Sequence, residues 1–133
     1  WAQLRQMQAA GMTIGAHGVD HRMLAKLPSQ DMLDEVAAAT ARLDAELGPG
    51  PRVLSYPVGG PDAYNDEVIG AVRAAGYRLA FTYLSGCNRW PLLEPHALRR
   101  LAMERPLDQA WFQAILALPE VFNHPSVVRV YPA

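Results

Sequence analysis

The sequence lacks the features that define several classes of protein. It has one cysteine, Cys87, so no disulfide can form within the chain. Because neither His nor Cys stands beside it, Cys87 is interpreted as a structural thiol. No apolar run approaches the roughly 20 residues of a membrane-spanning helix. Twelve basic and 13 acidic residues nearly balance, so no broad attraction to nucleic acid or to an anionic membrane is indicated.

The composition that remains is typical of one globular domain. Of 133 residues, 50% are hydrophobic and 19% are charged, which is enough apolar material for a core. Internal repeats and low-complexity stretches are absent. The chain begins at Trp1 and enters a helical pattern at once. We therefore expect a single domain over residues 1–133 that is part of a longer polypeptide, with any targeting segment outside it.

The most informative segment is residues 15–21, GAHGVDH, in which His17 and His21 stand four positions apart. Neutral imidazole is a common zinc ligand, and a catalytic zinc has about three protein ligands and one open position. The spacing also fits one face of a helix, but Gly15 and Gly18 disfavour a helix here. The alternative is that both are ordinary loop or surface histidines.

Strand-like and helical patterns alternate along the chain and predict a parallel α/β sheet or barrel. Helices are expected at residues 1–10, from Ser29 as N-cap, from Asn65 or Asp66 to Gly76, and over residues 108–118. Strands are expected at residues 12–16, 52–56, 77–83, 97–103 and 127–131. His17 would then follow the end of a strand, where α/β folds build their sites.

The order of these motifs resembles a known family. The pattern H-x-x-x-H-x-x-L-x-x-L, a long helix, and a strand ending in Y-P-x-G at residues 56–59 resembles the polysaccharide deacetylases of carbohydrate esterase family 4. The resemblance runs from about residue 1 to residue 103. It implies a partial, distorted (β/α) barrel, of which the chain is the C-terminal two thirds.

The resemblance also implies a metal-dependent hydrolysis of N-acetyl groups on an N-acetylhexosamine-containing polysaccharide, either an exopolysaccharide or a cell-wall glycan. In this family one Asp and two His bind a divalent metal, zinc being the first candidate, and a neighbouring Asp is the base. The two histidines correspond to His17 and His21. The implied location is the cell envelope or outside the cell.

The acidic motif of the family has no counterpart in this chain. It is a T-F-D-D type sequence on the first strand, and the candidates Asp20, Asp31, Asp34 and Asp62 all lack a paired carboxylate at a strand end. We expect the motif to lie before Trp1. An L-x-H motif for a general acid is also missing, and the remaining histidines, His96 and His124, are interpreted as loop residues.

Further roles follow from the resemblance. The backbone N–H of Val58 would stabilise an oxyanion, and Tyr56, Pro57 and Gly59 would contact substrate. Arg usually stands two residues before the proline, where this chain has Ser55; Arg100, on a later strand, is the expected replacement. Alternatively, residues 56–60 form a rigid turn without a ligand, and Arg100 is a solvated arginine.

Aromatic side chains in or beside loops add candidate sugar contacts: Trp90 is the first candidate, followed by Tyr64 and Tyr83. The alternative is that all three are core or rim residues. Two hypotheses remain. The chain is part of a metal-dependent deacetylase that obtains its aspartates from outside residues 1–133 and is inactive alone. Otherwise it is a non-catalytic remnant that binds glycan or protein.

Overall fold

A computed structural model describes residues 1–50, 52–101, 103 and 107–122. Three strands form a parallel sheet in the order β1-β2-β3. They are β1 (Val53–Ser55), β2 (Leu79–Ser85) and β3 (Leu98–Arg100). The expected parallel α/β class is confirmed. The sheet formed by the described residues is open, so they do not close a barrel.

The helices are α1 (Ala2–Ala9), α2 (Ser29–Leu47), α3 (Asp66–Ala74), α4 (Gln109–Ala117) and the single turn α5 (Pro119–Phe122), with a 3₁₀ turn at Leu24–Lys26. The four long helices lie where the sequence predicts them. The predicted cap of α2 is wrong: Ser29 is already helical, and the carbonyl of Pro28 accepts the first bond from Met32 N–H at 3.0 Å. Asn65 does cap α3, accepting from Val68 N–H at 3.0 Å.

The strand predicted at residues 12–16 is wrong except at its last residue. Ala16 forms one parallel bridge with Leu54: its N–H donates to Val53 O, and its carbonyl accepts from Ser55 N–H, both at 2.9 Å. The preceding residues do not pair because Met12 N–H still closes the end of α1 on Met7 O at 3.0 Å. That single bridge nevertheless aligns residue 17 with the end of β1.

The other predicted strands are confirmed with shifted ends. Residues 52–56 contain β1, residues 77–83 overlap β2, and residues 97–103 contain β3. The strand predicted at residues 127–131 lies outside the described residues. No helix in the described ranges is both long and apolar enough to cross a membrane.

The core lies between the sheet and the helices α2 and α3. It contains Met32 and Val36 of α2, Leu54 of β1, and Val68 and Val72 of α3, each with 3% or less of its surface exposed. Both leucines of the histidine motif take part. Leu24 is 1% exposed and Leu27 packs against the same cluster. The loop that follows the histidines is therefore anchored in the core.

The connection from β2 to β3 contains no helix and is held by a polar cluster. His96 is buried, and its Nε2 donates to Tyr77 O at 2.8 Å. The carboxylate of Glu94 accepts from His96 N–H at 2.9 Å, contacts His96 Nδ1 at 3.2 Å, and pairs with Arg73 of α3 at 3.0 Å. These contacts attach the connection to α3 and to the start of β2.

Truncation of Leu24 should lower the stability of the domain. Leu24→Ala removes a side chain that is 1% exposed, and we expect the free energy of unfolding to fall by about 2–5 kcal/mol in urea titrations. The matched control is Leu93→Ala, at a leucine that is 97% exposed. Equal unfolding midpoints for the two variants would show that the loop after the histidines is not anchored in the core.

Stability should fall in acid partly through Glu94. Burial raises the pKa of this carboxyl, but hydrogen bonds from His96 and the charge of Arg73 outweigh burial and leave the pKa below its usual range. Its stabilising contribution is therefore present above the unfolded pKa of about 4.3 and is lost as pH falls through the lower folded pKa.

We expect the difference in urea midpoint between wild type and Glu94→Gln to be large at about pH 6 and to shrink by about pH 3. Asp62→Asn, which removes an exposed carboxylate, is the control for the change in net charge. A difference for Glu94→Gln that stays constant across this range would show that the cluster does not stabilise the charged carboxylate.

Candidate metal and substrate site

The two histidines of the motif lie together at the C-terminal edge of the sheet. Their rings are 4.8 Å apart between centroids and are inclined by 71°. The segment between them is a non-helical loop, as the glycines predict. His21 has a φ of 57°, in the left-handed region that residues with a side chain rarely adopt. The loop therefore turns sharply and brings the second ring back beside the first.

One hydrogen bond selects the tautomer of the His17 ring. Its Nδ1 lies 2.7 Å from the carbonyl oxygen of Ser55. Because a carbonyl can only accept, Nδ1 carries the hydrogen, and the lone pair of the neutral ring is on Nε2. Histidines that bind metals commonly have this arrangement, in which the second nitrogen donates to a backbone carbonyl.

The loop between the histidines, called the histidine loop below, is held by Glu35 of α2. Its Oε1 accepts hydrogen bonds from the N–H groups of Val19 and Asp20, each at 2.8 Å. Glu35 is 7% exposed. The sequence analysis missed this residue, although an acidic residue beside Met32 and Val36 on the apolar face of a helix was a signal for it.

Gly18 is required by the same packing. It has a φ of 72°, and a Cβ at this position would lie 3.1 Å from Glu35 Oε1 and 3.2 Å from Pro57 Cγ. Any other residue would be strained by the backbone and crowded by both neighbours. The histidine loop thus lies between α2 and the turn that follows β1.

That turn, at residues 56–60, is tight and strained. Gly59 N–H donates to Pro57 O at 2.7 Å, which makes Val58 the centre of a γ-turn, and Val58 has a φ of 62°. Positive φ in a β-branched residue is rare and costs energy, which other contacts must offset. Within the described ranges, the N–H of Val58 has no hydrogen-bond acceptor, so it is available as a donor.

The structure explains why residue 59 is a glycine and residue 56 a tyrosine. A Cβ on Gly59 would lie 2.7 Å from Tyr83 N, so β2 leaves no room for a side chain there. Tyr56 is 1% exposed, its hydroxyl donates to His96 O at 2.8 Å, and its ring stacks on Tyr64 at 5.0 Å. Burial, followed by the negative charge of Glu94, raises the pKa of Tyr56 above its usual range, so the phenol stays a neutral donor.

The adjacent arginines of β3 point to different surroundings, as strand alternation predicts. Arg100 Nε donates to Thr82 O at 2.6 Å, and its guanidinium carbon lies 5.2 Å from the centre of the Tyr83 ring. The guanidinium of Arg99 donates to Ser85 O at 3.2 Å, and its backbone N–H and carbonyl pair with the side-chain amide of Asn88. Only Arg100 reaches the cavity of the histidines.

These residues surround a cavity of about 450 Å³, a size usual for small-ligand sites. Its walls are formed by His17, His21, Ser55, Tyr56, Val58, Tyr83 and Arg100. These residues come from four parts of the sheet: the loop after the Ala16 bridge, the end of β1 with the turn after it, β2, and β3. The predicted metal ligands, Val58 and Arg100 are thus brought together in one place.

Of the remaining predicted contacts, Tyr83 lies at the cavity and the others lie elsewhere or are buried. Trp90 is 87% exposed and does not line the cavity, and Pro57 is buried under the turn. Tyr83 lines the cavity, whereas Tyr64 packs on Tyr56. His96 has both ring nitrogens occupied by Tyr77 and Glu94, which fits a structural loop residue. His124 lies outside the described residues.

The two imidazoles suit a borderline metal ion, since both are nitrogen donors and Nε2 of His17 has a free lone pair. In the part of the chain that the structure describes, no group of three or more His, Cys, Asp or Glu residues could hold a metal. The described residues therefore offer two candidate ligands, so a site with the usual three protein ligands would need one more from elsewhere.

Comparison with known proteins finds relatives by sequence and by structure. YxkH of Bacillus subtilis (strain 168), a protein assigned to the polysaccharide deacetylases, is 31% identical over 80 residues, which is 60% of this chain and 28% of YxkH. The deacetylase PplD of Streptococcus pyogenes, solved in complex with acetate, has 21% identity and a TM-score of 0.75, over 85% of this chain and 48% of PplD.

A second structural relative is a de-N-acetylase from Aggregatibacter actinomycetemcomitans, with 16% identity and a TM-score of 0.68, over 86% of this chain and 52% of that protein. The chain thus spans about half the length of these structures and less than a third of YxkH. The family model described as polysaccharide deacetylase matches residues 1–80. Since that match covers more than half of the sequence, and both motifs lie within it, the chain belongs to the polysaccharide deacetylase family.

Proposed function

We propose that the chain is part of an enzyme that removes N-acetyl groups from a polysaccharide containing N-acetylhexosamine, with a divalent metal as cofactor. Membership of the deacetylase family supports the reaction class. The observation that carries the proposal is the His17 and His21 pair, with rings 4.8 Å apart in a cavity that also contains Arg100 and Val58. Such a substrate would be met in the cell envelope or outside the cell.

In this proposal His17 and His21 hold the metal, with zinc as the first candidate. A bound zinc would polarise the amide carbonyl and favour ionisation of a water. The hydrogen bond from His17 Nδ1 to Ser55 O fixes the ring and keeps Nε2 as the donor atom. Metal binding requires the neutral imidazole, because only that form has a free lone pair.

The cavity walls have complementary roles in the proposal. The N–H of Val58 donates to the oxygen that becomes negative as the amide is attacked, because oxyanions are stabilised by preorganised backbone donors. Arg100, held by Thr82 O and by the face of Tyr83, offers a fixed positive charge that orients the carboxylate acting as base. That carboxylate and the third metal ligand come from outside the described residues.

Metal binding by the histidine pair can be measured directly. Zinc titrated calorimetrically into the purified 133-residue chain at neutral pH should bind weakly, because two ligands hold the ion less firmly than three. His17→Ala and His21→Ala should each lower the affinity by at least about tenfold. Circular dichroism should show that the fold is retained, since both side chains are exposed.

Asp20→Asn is the matched control, because it removes a carboxylate from the same loop that belongs to no predicted ligand set. Zinc affinity should stay as in the wild type. If the two histidine variants bind zinc as well as the wild type does, the metal assignment is wrong. If Asp20→Asn alone loses binding, the aspartate and not the histidine pair is the ligand.

Activity should depend on the family's aspartate pair. Acetate release from N-acetylglucosamine oligomers by the 133-residue chain with zinc should be negligible, because the expected base is absent from it. If the coding sequence before Trp1 encodes an adjacent Asp-Asp pair, the longer protein should release acetate, and His17→Ala should abolish that release. Turnover by residues 1–133 alone would contradict the proposed base, and an in-frame start without the pair would favour a non-catalytic binding remnant.

A further inference from the structure

Glu35 is a carboxylate inside an otherwise apolar surface. It lies on α2 between Met32 and Val36, which both pack in the core, and 7% of its surface is exposed. Within the described ranges it has no ion-pair partner among the Lys and Arg residues. Burial of a carboxylate without a cation costs free energy unless hydrogen bonds offset it. Packing alone therefore does not explain a glutamate at this position.

The two hydrogen bonds that Glu35 Oε1 accepts explain the presence of this carboxylate. The oxygen accepts from Val19 N–H and from Asp20 N–H, both at 2.8 Å. These consecutive N–H groups belong to the segment that joins His17 to His21. Hydrogen bonds to an ionised acceptor are roughly twice as strong as neutral ones. One buried atom therefore fixes the direction of two successive peptide groups in this loop.

The loop is also close to the turn after β1, which leaves little space around Gly18. A Cβ on Gly18 would lie 3.1 Å from Glu35 Oε1 and 3.2 Å from Pro57 Cγ. Gly18 therefore fits between the carboxylate and the turn after β1. Rotation of either peptide group would break its hydrogen bond to Glu35, and it would change the position of the His21 ring relative to that of His17.

We infer that Glu35 is a positioning residue for the metal pair: through Val19 N–H and Asp20 N–H it holds the loop so that His17 and His21 face one ion. This inference rests on the proposed function, since it assigns a purpose to the separation of the two rings. Outer groups that orient metal ligands typically change metal affinity about 10–100-fold when they are removed. Glu35 acts through the backbone and does not touch the ion.

The test is calorimetric zinc titration of the purified chain and of variants at position 35, with no assay of activity. Glu35→Ala removes the acceptor and should lower zinc affinity about 10–100-fold. Glu35→Gln keeps an Oε1 acceptor of the same length and should stay within about threefold of wild type. The control is Glu46→Gln, which makes the same change of charge on α2 at a side chain that pairs with Arg5 and Arg42.

Urea unfolding separates positioning from stability alone. If Glu35→Ala is destabilised but binds zinc like wild type, the inference is wrong. If Glu35→Ala does not fold, Glu35→Asp replaces it, because it retains the charge but withdraws the acceptor by one methylene. Zinc binding should then be weakened in a folded protein, and unchanged binding would overturn the inference.

The same titrations distinguish this inference from the proposed function. Weaker binding in His17→Ala together with wild-type binding in the folded Glu35→Ala or Glu35→Asp variant rejects the positioning role alone. A wild-type chain that binds no zinc, or binds it equally well without His17, rejects the metal site and with it the role of Glu35. Equal losses in Glu35→Gln and Glu35→Ala would also overturn the inference, because the hydrogen-bond acceptor would then not be what matters.

Discussion

The hydrogen bond between His17 Nδ1 and the carbonyl of Ser55 connects everything else in the site. It joins the histidine loop to the end of β1, only one residue after the backbone bridge between Ala16 and Leu54. The bridge sets the register of the two segments, and the hydrogen bond of the His17 ring depends on that register. A shift of one residue would point the imidazole to the other face of the sheet. The same bond selects which ring nitrogen is free.

Beneath the site, buried polar groups are satisfied by one another. The hydroxyl of Tyr56 donates to the backbone of His96, whose ring donates to Tyr77 O, and no fully buried side-chain polar atom in the described residues lacks a partner. Such a network is costly to disturb because each member left alone would lose its hydrogen bond. It gives the strained turn at Val58 a rigid base. The strain at Val58 and His21 is therefore confined to the surface that lines the cavity.

The sequence predicts the parallel α/β class, the four long helices and the partnership of His17 with His21, because hydrophobic spacing and a compact motif are local signals. It fails where the outcome depends on a distant partner. The strand before Ala16 shrinks because α1 still binds Met12, and Ser29 is not a cap because Pro28 already serves as the N-cap. Glu35 could not be assigned a role from spacing alone, since the peptide groups that it binds lie about 15 residues away.

The walls of the cavity come from four separate parts of the chain, at residues 17–21, 55–58, 83 and 100. None of them can form the pocket before the parallel strands have aligned, and such non-local pairing is the slow part of folding. Binding of a ligand in the cavity is therefore coupled to folding of the whole domain and not to the ordering of a single loop. A ligand that fills this space would stabilise the native state as a whole by mass action.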